Sequence, residues 1–182
     1  MRQADARQKE LSLQARLSKE LLQLKDRFFQ LSREANREKA GIALEGLLNR
    51  LFMLFDLNPR PAFRIVGEQI DGSFTLDGEV YLVESKWEKY ALPEADLLVF
   101  RGKIEGESTF TRGVFIALND ATEQAVDAIT RGKSPSFFLM NGYDLLMILS
   151  ERIGLIDFLR KRVRLLAEEG RVCISFSELI ER

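Results

Sequence analysis

Residues 68–87 read EQIDGSFTLDGEVYLVESKW, and the Asp77-Gly78 pair in their middle decides how the flanking segments meet. Asp-Gly between alternating apolar residues is a strong signal for a type I′ hairpin, because both central residues of that turn take positive φ and its twist matches that of the strands. With Asp77 and Gly78 as the loop, Leu76 faces Glu79 and every facing pair sums to 155, so Asp71 lies opposite Glu84 and Gln69 opposite Lys86. Facing residues share one side of a sheet. That side also holds Ser73, Thr75, Val80 and Leu82, while Ile70, Phe74, Leu76, Tyr81 and Val83 make up the core-facing side.

Two carboxylates facing each other across a ladder, with Cβ atoms roughly 5 Å apart, repel unless positive charge sits between them. Lys86 supplies one such charge and leaves the pair under-compensated. A divalent cation is the natural complement, and Mg²⁺ prefers oxygen ligands, taking one or two carboxylates and leaving its other positions to water and substrate phosphate. That is the chemistry of phosphodiester hydrolysis: the metal polarises the phosphoryl oxygen and activates water, and Lys86 holds that water or stabilises charge on phosphorus. Alternation of Glu84 and Lys86 on one strand then means that both face one metal and one phosphate.

The composition narrows the chemistry further. The chain has 182 residues, 46% hydrophobic and 30% charged, which suits one domain with a core and an appendage. It contains no histidine, which removes serine–histidine and cysteine–histidine catalysis and histidine-ligated zinc. Its single cysteine, Cys173, excludes a disulfide framework and fits a reducing compartment. There is no apolar run of membrane length and MRQADARQKE lacks a secretory core, so a cytoplasmic protein without a membrane partner is expected. The net charge is −1; residues 1–39 hold ten Lys or Arg against six Asp or Glu, giving a basic arm and an acidic body.

Residues 7–40 lack Gly and Pro and read as helix. Leu17, Leu21, Leu24, Phe28 and Leu31 step by four and three, a seam for a coiled coil, a partner subunit, or the chain's own domain. AGIALEGLLNRLFMLFD (40–56) is a second helix, apolar nearly all round and therefore buried, with Glu45 and Asn49 one turn apart. NPRP at 58–61 ends it. Beyond the hairpin come a helix at 93–103, a buried strand at 112–118 and a helix at 121–132 opening near Asp120 or Thr122. A strand from 135, a turn at Asn141-Gly142, a helix from Asp144 and a helix from Leu155 to Glu169 ended by Gly170 complete the pattern. Helices alternating with strands predict an α/β sandwich with a mixed sheet between helical layers.

A helix Glu, then Asp at a strand end, then Glu-x-Lys on the next strand resembles the PD-(D/E)XK nuclease superfamily, and the element order resembles its Mrr-like restriction endonuclease branch. Glu45 in GIALEGLLNRLF, Asp71 in QIDGSF and Glu84 with Lys86 in VESKW carry the match, and VFRGK, RGVFIAL and MNGYDLLMIL resemble later family elements, over roughly residues 38–165. The chain departs from many Mrr-like members in having Glu rather than Gln at position 84, and Ile70 stands where the family's Pro precedes the Asp. The resemblance implies a restriction-endonuclease-like three-layer α/β/α sandwich with a central mixed sheet, preceded by a long N-terminal helix. The expected division is an arm at 1–37 and a nuclease domain at 38–182. It implies catalysis by Glu45, Asp71, Glu84 and Lys86 with Gln69 in support, and Mg²⁺ (replaceable by Mn²⁺) on Asp71, Glu84 and Glu45. The implied role is a DNA endonuclease in bacterial restriction or anti-phage defence, acting as a homo-oligomer or docked on a sensor subunit through the N-terminal helix.

Each residue also has a bland explanation: Glu-x-Lys as a solvated strand face, Asp71 as turn chemistry before Gly72, Glu45 as a carboxylate satisfied by backbone donors. An RNase or structure-selective nuclease on the same site, and a non-catalytic binding or assembly module, are the alternatives to the DNA endonuclease. Lys103, Arg112, Arg131 and Lys133, and the run Arg160, Lys161, Arg162 and Arg164, are candidate phosphate contacts or ordinary solvated charge. Trp87 and Tyr90 are candidates for base stacking or for core packing.

Overall fold

The structure, a computed structural model, describes residues 2–65 and 67–182, with side chains from residue 5 onward. Helix α1 (Arg2–Ser32) and helix α2 (Arg37–Leu54) are separated by a break without Gly or Pro, where Asn36 accepts a hydrogen bond from the Lys39 backbone as N-cap. Strands β1 (Arg60–Ile65), β2 (Glu68–Leu76) and β3 (Glu79–Lys86) form an antiparallel meander. Helix α3 (Glu94–Glu105) leads to β4 (Arg112–Ala117), and α4 (Glu123–Thr130) leads to β5 (Phe137–Met140), with β3, β4 and β5 parallel. Helices α5 (Gly142–Leu149), α6 (Leu155–Glu169) and α7 (Phe176–Ile180) close the chain. The sheet order is β1-β2-β3-β4-β5.

The hairpin has the expected register: Leu76 pairs with Glu79, Phe74 with Tyr81 and Gly72 with Val83. Asp77 and Gly78 take φ of 51° and 87°, as a type I′ turn requires. Phe74 and Tyr81 stack across it with centroids 5.2 Å apart, and Phe52 from α2 lies 4.6 Å from Phe74.

Both faces of the sheet are covered, as parallel strands require. One core joins Phe74, Tyr81, Val83, Val114, Ile116 and Phe138 to α1, α2, α5 and α6; the other joins Leu82, Phe115, Phe137 and Leu139 to α3 and α4. The result is a three-layer α/β/α sandwich with a mixed central sheet and a long N-terminal helix. The seam of α1 is spent on this domain: Leu21, Leu24, Phe28 and Leu31 are buried, and Phe28 meets Trp87 edge-on at 5.4 Å. Trp87 is thus a core residue, whereas Tyr90 is exposed.

The helix expected over 7–40 is broken at 33–36, and two features of the sheet differ from the sequence pattern. Segment 60–65 is a strand that the sequence pattern hides, because Pro61 argues against a central strand; β1 is an edge strand, where a missing N–H is tolerated. Ile70 does not share a face with Phe74 and Leu76, since it packs in the α3-side core while they pack in the α2-side core. Strand β2 therefore exchanges its faces across Gly72, and no Cβ fits comfortably at that glycine: one built there lies 3.0 Å from the Arg60 carbonyl oxygen.

Candidate active site

The site begins where the hairpin ladder stops. The β2–β3 pairing runs as far as Gly72 with Val83. One step further, the Asp71 side chain takes over from the backbone, its Oδ2 accepting from the Ser85 N–H at 2.9 Å with Ser85 Oγ at 3.5 Å. A carboxylate that caps a strand N–H in this way is held in one orientation by the fold. Asp71 there lines a crevice with Glu45 and Asn49 of α2, Arg60 of β1, Ser73 and Ser85. Its volume is about 10 Å³, room for about one water-sized occupant.

Glu84 and Lys86 turn to the other helical layer. Lys103 of α3 grips both Glu84 carboxylate oxygens at 3.0 and 2.8 Å and also donates to the Gln69 carbonyl at 2.9 Å. Lys86 Nζ donates to Asp96 of α3 at 2.6 Å. Among the predicted site residues, Glu45 and Asp71 thus share one crevice, while Glu84 and Lys86 are held by partners on α3. Gln69 sits at the exposed end of β2 and contributes its backbone carbonyl. The reversal of β2 around Gly72 accounts for this split, because it turns Asp71 towards α2 and Ser85.

The three carboxylates still sense one another. Glu45 is pushed up to about 7, first by burial and then by the charges of Asp71 and Glu84. Burial also raises Glu84; the Lys103 ammonium opposes that rise and Asp71 adds to it. Carboxylates without His or Cys are the hard oxygen ligands that Mg²⁺ or Mn²⁺ prefers, but here only Glu45 and Asp71 share a crevice, with Glu84 held by Lys103. No cluster of three or more acidic, Cys or His side chains poised to hold a metal ion is found among the described residues.

Lys103 and Asp96 hold these partners without any motif in the sequence that announces it. They are seven positions apart on α3, two helical turns, so both reach β3 from one face. The other basic candidates are occupied. Arg112 donates to carbonyls at 109 and 111, Arg131 pairs with Asp127, and Lys133 donates to the Ala128 carbonyl. Arg160 pairs with Asp77 and Arg164 with Glu168 at the surface, Lys161 donates to the Leu179 carbonyl, and Arg162 is buried on Asp144, which removes Arg162 from the candidate phosphate contacts. Among the described residues, no helix is long and apolar enough to cross a membrane.

No protein-family model matches the chain, and no curated protein matches it. Solved structures that resemble it in chain path include the protein of unknown function AF1548, at 14% identity and TM-score 0.44 over 76% of this chain and 91% of that one. The DNA modification-dependent restriction endonuclease AspBHI matches at 14% identity and TM-score 0.46 over 75% of this chain, and the MspJI restriction endonuclease in complex with a 27-mer oligonucleotide at 17% and 0.42 over 78%. This chain spans 36% of the length of each of those two endonucleases. Similarity at this level leaves any assignment of activity to the residues of the site itself.

Proposed function

We propose that the chain is a Mg²⁺-dependent endonuclease that hydrolyses DNA phosphodiester bonds, with Asp71 and Glu84 holding the cation, Glu45 beside them and Lys86 acting on the phosphate. The observation that carries this reading is the coupling of Glu45, Asp71 and Glu84 at the point where β2 and β3 stop pairing, with Lys86 two residues beyond Glu84. Glu45 is pushed up to about 7 first by burial and then by the charges of Asp71 and Glu84, and that added negative charge supports a reading in which positive charge completes the site.

What a bound divalent cation supplies there is Lewis-acid polarisation of the phosphate and easier deprotonation of water. The chain's own groups do the rest. Asp71 is pre-oriented by the Ser85 N–H. Glu84, whose two oxygens Lys103 holds at 3.0 and 2.8 Å, would share a cation with Asp71, with the Lys103 ammonium as a further positive group beside it. Lys86, paired with Asp96 at 2.6 Å in this structure, would supply positive charge to the attacking water and to the charge developing on phosphorus. Glu45, on the Asp71 side of the site, would serve as the proton acceptor for the attacking water. The resemblance of Glu45, Asp71, Glu84 and Lys86 to the PD-(D/E)XK motif is what suggests a role in bacterial restriction or anti-phage defence.

The test is incubation of the purified chain with supercoiled plasmid and with a structured RNA, each with Mg²⁺, Mn²⁺ or EDTA. Nicking or linearisation of the plasmid that EDTA abolishes is expected. Cleavage of RNA alone would move the assignment to an RNase, and inertness on both substrates would move it to a binding module.

A further inference from the structure

Strands β4 and β5 are neighbours and parallel, yet the helices that follow them leave to opposite faces. Ala125 and Ile129 of α4 pack in the core under α3, whereas Leu145, Ile148 and Leu149 of α5 pack in the core under α1 and α2. Connections that diverge in this way open a crevice at the carboxyl ends of the two strands, the place where open α/β sheets hold small ligands. A cavity of about 540 Å³ occupies that position, within the size range of small-molecule sites. None of Glu45, Asp71, Glu84 and Lys86 lines it, although it lies on the same carboxyl edge of the sheet as Lys86.

Its walls are built. The start of α5 is pressed against the end of β4: Gly142 N–H donates to the Leu118 carbonyl at 3.1 Å, and a Cβ at Gly142 would lie 2.9 Å from that oxygen. Asn141 caps α5 through a reciprocal pair with Asp144 and donates its Nδ2 to Asp120 Oδ1 at 2.7 Å. Asp144, 1% exposed, is paired with buried Arg162 at 2.8 Å, and its second oxygen has no partner within the protein. Tyr143 and Phe176 meet edge-on at 5.8 Å on the cavity wall, and Leu139 and Ile174 provide apolar surface.

The chemistry of these groups selects the ligand. Two carboxylates against one guanidinium leave the cavity net negative, which disfavours a phosphate and favours a neutral group that donates hydrogen bonds. Apolar and aromatic walls with a few acceptors suit a flat heterocycle carrying an amino group. The geometry points to a second site, between the carboxyl ends of β4 and β5, that binds an amino-bearing nucleobase through Asp120 and the aromatic pair. The base comes either as a free nucleoside or turned out of a strand, where stacking and edge hydrogen bonds would read it. This site is independent of catalysis.

Calorimetry in EDTA with adenosine, cytidine, guanosine and thymidine, beside fluorescence of a single strand containing 2-aminopurine, tests it without any cleavage. At least one amino-bearing nucleoside, or the strand's 2-aminopurine, should bind saturably, with thymidine at least about tenfold weaker than the best nucleoside. Asp120→Ala should weaken binding by about tenfold or more, the loss of one hydrogen bond to a charged acceptor. Ser177→Trp, at an exposed position on the cavity wall, should block it. Binding of nucleosides assigns a free ligand, and binding of the strand alone assigns an extruded base. The site is overturned if nothing binds at millimolar concentration, if thymidine binds as well as the others, or if both variants bind like the wild type.

Discussion

Replacing Glu45 by Gln should stabilise the protein, and only at neutral to alkaline pH. In the folded chain the Glu45 carboxyl is pushed from its ordinary 4.5 up to about 7, by burial first and by Asp71 and Glu84 second. An acid with a raised folded pKa contributes its full stability below the unfolded value and loses it as pH climbs through the folded value. Between about pH 4.5 and 7 the fold therefore comes to bear the cost of an ionised Glu45. A displacement from 4.5 to about 7 corresponds to roughly 3 kcal/mol. The side chain is only partly buried, and solvent screening reduces this to about 1–2 kcal/mol. Gln keeps the shape and never ionises, so urea unfolding in EDTA should show the variant equal to the wild type near pH 4.5 and about 1–2 kcal/mol more stable at pH 8. In a melting curve this is a gain of roughly 2–8 °C for a chain of this size. Adding Mg²⁺ at pH 8 should narrow the gap, because a cation among the carboxylates restores value to a charged Glu45. A difference that does not vary with pH, or a variant less stable than the wild type at pH 8, would refute the coupling of the three carboxylates.

Other perturbations probe the surroundings of the site. Phe28→Ala removes the ring that covers Trp87 and should cost about 3–5 kcal/mol, with a red shift in the emission of the chain's single Trp. Leu21→Glu should unfold the domain, since Leu21 is buried in its core; a variant that stays folded and merely changes oligomeric state would contradict the packing of α1. Asp144→Ala strands Arg162 in the interior and should cost about 3–5 kcal/mol, much of it recovered in the double variant with Arg162→Leu. Lys103→Met takes away the ammonium that competes for Glu84, so Mn²⁺ affinity measured by calorimetry should rise about tenfold; a fall would mean that Lys103 is needed to shape the site.

The sequence revealed those features whose physics is local. Asp77-Gly78 fixes a turn through its own φ preferences, and the register down to Gly72 and Val83 follows from it. Gly170 ends α6 in the left-handed conformation, and Thr122 caps α4, for similarly local reasons. Features set by tertiary packing stayed hidden. The break at 33–36 lacks a Gly or Pro to announce it, and β1 carries a Pro that only its edge position tolerates. Alternation along β2 held from Gly72 to Leu76 but not at Ile70, because both faces of the sheet are buried and an apolar residue is at home on either. The expectation that Asp71 and Glu84 face each other on one side of the sheet fails for the same reason: the ladder stops at Gly72 and Val83, and the two carboxylates take partners from different helical layers. Lys103 reaches Glu84 from 19 residues away in sequence, a contact that no local spacing encodes.

The most direct test of the proposed nuclease site is Lys86→Ala, examined by Mn²⁺ calorimetry and by plasmid nicking on the same preparation. Lys86 holds no metal, so cation affinity should be unchanged or slightly higher, while the loss of positive charge at the attacking water and the phosphorus should slow cleavage by about 10² to 10³. Asp71→Asn, run beside it, should lose cation affinity and cleavage together. If Lys86→Ala nicks plasmid at the wild-type rate, the β2–β3 edge is not a nuclease centre.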